Sequence, residues 1–143
     1  MNKWIDKKSN QEVNSIEDMP ESAIGFIYLI ELVDGRKYIG KKSLYSKRKR
    51  KFGKKEIAKI TDKRKKHWEY VIKESNWKEY CSSNKELKEL IKQGIKYHKY
   101  ILDYAYTKKE LSYKEEKQLF INEVLESKIW FNSNISGRYF KMV

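Results

Sequence analysis

GFIYLIELVDGRKYIGKK, residues 25–42, sets two apolar runs on either side of Asp34-Gly35. Asp-Gly between apolar runs is a strong hairpin signal. The first run, 26–33, suits a buried strand, and 36–41 returns as its partner. Loop length decides what the hairpin carries. A three-residue loop, Val33-Asp34-Gly35, closed by a left-handed glycine, sets Leu32 opposite Arg36. Tyr28 then lies across from Gly40 and Tyr38 across from Ile30, so both tyrosines emerge on one face. A glycine opposite Tyr28 leaves room over the ring. A two-residue loop shifts the register by one and sends the tyrosines to opposite faces.

The chain has 143 residues, enough for one domain with its own core. Its single cysteine, Cys81, excludes an internal disulfide framework and suits a reducing compartment. The first residues contain no apolar segment of a secretory signal, and no run reaches the length of a membrane span. The expectation is a soluble, cytoplasmic protein with no membrane partner. Charge is distributed unevenly. Residues 41–66 hold fourteen Lys or Arg against Glu56 and Asp62, a net +12 within a formal +13. Such a block attracts phosphate backbones, because each neutralised phosphate releases a counterion. It shows little amphipathic periodicity, which argues against a membrane surface. Within it, Lys41, Arg50, Lys54, Lys55, Lys63, Arg64 and Lys65 are the expected nucleic-acid contacts.

Further along, Ser83 and Glu86 have capping-box spacing, and a helix is expected over 82–94 with Gly94 at its end. Residues 97–106 read as a third strand. Residues 107–127 read as a second helix, with Thr107 or Ser112 as its N-cap. The tail is too apolar to be free and is expected to pack back on the sheet. Residues 1–23 read as a polar N-terminal extension. The fold class is α/β (α+β): a central three-stranded antiparallel sheet flanked by helices over 24–143, with a basic insertion at 41–66.

The triplets in GFIY (25–28) and YIG (38–40) resemble the two halves of the GIY-YIG nuclease signature. The order that follows is also similar: a basic segment, a helix, a strand, a helix bearing a carboxylate, then an asparagine. YIGKK, SNWKEYCSSNKEL, KKELSYKEEKQLF and WFNSNISGR resemble a group of short phage-type members. That group has Tyr-Gly-Ser-Ser where this chain has Tyr80-Cys81-Ser82-Ser83. The resemblance covers about residues 24–139. It implies a GIY-YIG-like domain and a Mg²⁺- or Mn²⁺-dependent endonuclease acting on double-stranded DNA. For a phage-encoded chain it implies the host cytoplasm.

The resemblance also assigns residues. Tyr28 and Tyr38 match the motif tyrosines. Arg48 matches the phosphate-binding arginine by spacing, with Arg50 and Arg64 as rivals. Lys42 follows the second half of the signature and could serve the phosphate or the attacking water. Glu115 matches the metal-binding carboxylate, although Glu116 is adjacent and Ser112–Glu115 has capping-box spacing. Asn132 matches the asparagine near the site, with Asn134 as the alternative. One carboxylate is enough for Mg²⁺, which keeps most of its waters. His67 and His98 read as structural, Trp68, Trp77 and Tyr80 as core in preference to DNA stacking. The runner-up function is a non-catalytic nucleic-acid-binding protein with the same fold. The sequence leaves oligomeric state open, a dimer included.

Overall fold

In the computed structural model, β3 (Gly25–Leu32) and β4 (Lys37–Ser43) form the hairpin that the sequence implies. The Leu32 amide donates to the Arg36 carbonyl, the Gly35 amide donates to Leu32, and Gly35 has φ +94°. The loop is therefore the three-residue one. Tyr28 pairs with Gly40 and Tyr38 with Ile30. The structure describes residues 2–62 and 64–143; the expected contact Lys63 lies outside them.

Two units are distinguished: residues up to Leu44 together with Asn76–Val143, and Tyr45–Ser75. The first contains β1 (Trp4–Asp6), β2 (Glu12–Val13), β3, β4, α2 (Lys85–Lys92), β7 (Tyr97–Ala105) and α3 (Lys108–Ile121). It closes with a small pair, β8 (Asn134–Ile135) and β9 (Tyr139–Phe140). Its main sheet has the order β2-β1-β7-β3-β4. Only β1 and β7 pair in parallel. Alternation along β3 splits the core in two. Phe26, Tyr28 and Ile30 pack on one face with Trp4, Trp77 and Leu87 of α2. Ile27 and Leu29 pack on the other with Leu111 and Leu119 of α3.

The sheet therefore has five strands where three were expected, and the N-terminal residues account for the difference. Trp4 is 1% exposed, and its indole N–H donates to the Trp77 carbonyl at 2.7 Å. A three-residue strand has no room to display a period, which is why residues 1–23 read as a polar extension. α2 begins one residue past the capping box expected of it, and α3 follows Thr107, one of its two expected caps. Asn84 caps α2, accepting from the Leu87 amide at 2.9 Å, so Ser83 is released from that duty. Thr107 caps α3, and Glu110 reaches back to the Tyr106 amide, so Glu115 has no capping role. The helix ends at Ile121, and the tail does pack back. The Lys141 ammonium gathers the carbonyls of Val124, Ser127, Trp130 and Asn132 at 2.7–3.3 Å.

The second unit is a ribbon: β5 (Tyr45–Lys51), the short α1 (Lys54–Ala58) and β6 (Trp68–Glu74). All of β5 is exposed, and only Trp68 of β6 is partly buried. The run of lysine and arginine along β5 led the sequence to present this unit as a basic insertion, although Trp68, Tyr70 and Ile72 alternate along β6. Its bounds also differ from 41–66, because Lys41 and Lys42 belong to β4. Among the described residues, no helix is long and apolar enough to cross a membrane.

A Cβ built on Gly40 would lie 2.4 Å from the Tyr28 hydroxyl oxygen and 2.6 Å from Cζ. Such overpacking costs about 1–3 kcal/mol. Gly40→Ala should lose that much stability in denaturant melts. In a Tyr28→Leu background the same change should cost far less, a non-additive cycle. Additive losses would place the strain elsewhere.

Candidate active site

Tyr28 is fully buried, and its ring crosses the sheet over Gly40. Tyr38 packs beside it with ring centroids 6.1 Å apart. Its hydroxyl meets Ser83 Oγ at 3.1 Å, using the serine that the helix cap left free. Tyr80 closes the group edge-on to Tyr28 at 5.8 Å. Lys42, two residues past Gly40, extends on the same face. Its ammonium sits 4.2 Å over the Tyr80 ring and donates to Asn76 Oδ1 at 2.8 Å.

Burial governs the protonation of this group, since low dielectric disfavours the charged form. It pushes the Tyr28 hydroxyl far up; the Tyr38 and Tyr80 phenols and the Glu115 charge add to the shift. Burial also raises Tyr38, with Ser83 opposing and Glu115 adding. Burial lowers Lys42. Both phenols therefore stay neutral near pH 7, while the lysine is brought closer to releasing its proton.

Glu115 is carried by α3, whose apolar side packs on the opposite face of the sheet. Its charge nevertheless bears on both phenols. Burial raises its own carboxyl, Lys41 lowers it and Glu116 raises it. Among the described residues, the Glu115 carboxylate accepts no hydrogen bond and forms no ion pair. Glu116 is engaged, accepting from the Ser136 hydroxyl. Lys41 donates to Ser112 Oγ at 2.9 Å, beside Glu115 on the same helix. A half-buried, uncommitted carboxylate is the donor type that a hard divalent cation takes. No cluster of three or more acidic, His or Cys side chains occurs among the described residues. Any metal here would rest on Glu115 and water.

Asn132, the residue matched to the asparagine near the site, bonds the backbone of β4. Its Oδ1 accepts from the Ile39 amide at 3.1 Å, and its Nδ2 donates to the Ile39 carbonyl at 2.8 Å. β4 is an edge strand, and Asn132 satisfies its outer backbone at the residue between Tyr38 and Gly40. Phe131 and Ile129 do the same at Lys37. The asparagine thus positions the strand, and its amide is spent on that. Asn134 is likewise committed, accepting from the Gly137 amide.

The basic residues separate as well. Arg48 lies on β5, exposed, opposite Val71, with no hydrogen bond or ion pair among the described residues. Arg50 is held by two carboxylates, Glu56 and Glu69, at 2.6–3.0 Å and stays exposed. Arg64 bonds Asp62 but stays exposed. Lys54, Lys55 and Lys65 are exposed. These belong to the ribbon unit; the tyrosines, Lys41, Lys42, Glu115 and Asn132 belong to the first.

A family model described as "Putative endonuclease segE, GIY-YIG domain" matches residues 4–135. The chain belongs to the GIY-YIG endonuclease family. The match starts at Trp4, so the family domain includes the strand that the sequence had presented as an extension. No curated protein and no solved structure gives a significant match. Membership in this family implies endonuclease activity on nucleic acid.

One supporting residue escaped the sequence reading. Lys99 is 1% exposed, and its ammonium donates to the carbonyls of Lys78 (2.9 Å) and Tyr80 (3.1 Å), fixing the segment that carries Tyr80. The signal was present, because Lys99 alternates with buried Ile101 along β7.

Burial pushes Lys99 down to about 8. The unfolded chain keeps its proton up to about 10.5, so between these values the unfolded state binds more protons and stability rises with pH. The unfolding free energy of wild type minus Lys99→Met should climb by up to about 3 kcal/mol across that window, and stay level below it. A level difference throughout would mean the ammonium is not buried in solution. Asn132→Ala should cost about 2–4 kcal/mol by stranding two buried backbone groups of Ile39. A loss below about 0.5 kcal/mol would show that water replaces the amide.

Proposed function

We propose that the chain is a Mg²⁺- or Mn²⁺-dependent endodeoxyribonuclease that hydrolyses phosphodiester bonds of double-stranded DNA at the Tyr28–Tyr38–Glu115 site. The supporting observation is the uncommitted Glu115 carboxylate, whose charge bears on both motif phenols. Hydrolysis requires a water to lose a proton as its oxygen attacks phosphorus. The P–O bond to one sugar breaks, and the departing alkoxide takes a proton. A bound divalent ion would neutralise phosphate charge and acidify a coordinated water. Glu115 would hold it.

The chain's own residues supply the rest. Tyr28 and Tyr38, kept neutral by burial, act as hydrogen-bond donors that orient the water and the phosphate. Lys42 is assigned as the proton acceptor because it extends on the tyrosine face beside Tyr80, where burial favours the neutral amine over the ammonium. Lys41 places positive charge beside Glu115. Asn132 and Ser83 position β4 and Tyr38 and take no part in proton transfer. Arg48 lies on the ribbon unit.

Supercoiled plasmid, incubated with and without Mg²⁺, tests the reading. Wild type should cleave, and chelator should abolish cleavage. Glu115→Gln should lower the rate by on the order of a thousandfold or more, since it removes a preorganised charge at the reacting group. Glu116→Gln should cleave nearly as wild type. Lys42→Met should lose about 100- to 10,000-fold in rate, the usual share of a general base. A wild-type chain that binds DNA but never cleaves it would establish instead the non-catalytic reading of the fold.

A further inference from the structure

The ribbon Tyr45–Ser75 has no buried face and carries thirteen Lys or Arg against four acidic residues, a net +9 in 31 residues. Two-stranded ribbons alone are marginal in water. This one is held by side-chain ladders. Lys47 lies 4.0 Å over the Tyr70 ring, Lys49 4.3 Å over Trp68, and Arg50 clasps Glu56 and Glu69. Directly paired residues share a face, so the two faces differ chemically. One carries Lys47, Lys49 and Lys51 with Ile72, Tyr70 and Trp68; the other carries Ser46 and Arg48 with Lys73 and Val71. On the second face, Arg50 is neutralised by its carboxylates. Among the described residues, the charged ends of Arg48 and Lys73 have no hydrogen-bond or ion-pair partner.

We propose that this ribbon is a duplex-reading element that lies in the DNA major groove, with Arg48 and Lys73 directed to base edges. Lys47, Lys49 and Lys51 reach the flanking phosphates. The major groove admits a two-stranded β-ribbon, and arginine paired to guanine is the commonest specific contact there. Seven residues per strand span about 24 Å at roughly 3.4 Å each, or about seven base pairs. Lysine suits the phosphates as a point charge. Single strands fit less well. Trp68 and Tyr70 meet edge to face at 74°, and ammonium groups cover their rings, so they offer no open stacking platform. The proposal rests on the endonuclease reading for its ligand class alone.

Equilibrium binding of the full chain in chelator tests it with four labelled probes. They are a mixed-sequence 30-base-pair duplex, the same duplex with glucosylated 5-hydroxymethylcytosine at every cytosine, the plain duplex saturated with netropsin, and one of its strands alone. Groups at the pyrimidine 5-position fill the major groove, whereas netropsin fills the minor groove. The modified duplex should bind at least about tenfold more weakly, on the scale of one lost base contact, and netropsin should change affinity far less. Arg48→Ala/Lys73→Ala should weaken plain-duplex binding and erase the difference between plain and modified DNA. Lys47→Gln/Lys49→Gln/Lys51→Gln should keep that difference and reduce the log–log salt slope by about 2.7, at roughly 0.9 per contact. Equal binding of plain and modified duplex, competition by netropsin, or tighter binding of the single strand would each overturn the proposal. Plasmid cleavage run in parallel separates the two readings. Cleavage without groove sensitivity sinks only the ribbon, and groove sensitivity without cleavage sinks only the nuclease.

Discussion

The Tyr28 ring lying across Gly40 is the contact on which the rest of this structure depends. It requires that the two residues be paired, which requires the three-residue loop ending in left-handed Gly35. It requires a glycine, because any Cβ at position 40 would meet the phenol well inside contact distance. With those conditions met, Tyr28 and Tyr38 share a face and touch. Slipping the register by one would reverse every side chain of β4. Turn chemistry, strand pairing and site chemistry are thus one constraint read at three scales.

That constraint falls on an edge strand, which by itself would be a weak place to hold precise geometry. The tail supplies the missing partner. Residues 129–132 bond along β4, and Asn132 closes both backbone groups of Ile39 with its amide. Lys141 in turn gathers the tail carbonyls. The cost of the arrangement is electrostatic: burial raises both phenols and the Glu115 carboxyl, and the Glu115 charge adds to the shift of the phenols. Charge left uncompensated in this way is what a cation would relieve.

The hairpin, its register, the core of β3, β7 and α3, and the motif residues were legible because each is written locally. Asp34-Gly35 names its own turn, and long apolar runs name their strands. Three things were hidden for physical reasons. Trp4 sits in a strand too short to show a period. The ribbon's β5 is exposed throughout and so looks like any charged loop. Asn132 and Ser83 were visible, but their partners, Ile39 and Tyr38, lie far away in sequence, and local spacing cannot reveal such pairs. Ser83 also offered a capping box that Asn84 made unnecessary. Glu115 and Glu116 were alike in the sequence; in the structure Ser136 bonds the second.

The central claim is that a single carboxylate beside two neutral phenols forms the metal-dependent centre. Anomalous scattering from crystals soaked in Mn²⁺ addresses it directly, independent of any rate. One peak against the Glu115 carboxylate, on the side facing Tyr28 and Tyr38 and absent in Glu115→Gln crystals, is the predicted result. A peak held by Glu116 or by the ribbon acids, or an ordered site with no peak at saturating Mn²⁺, would contradict it.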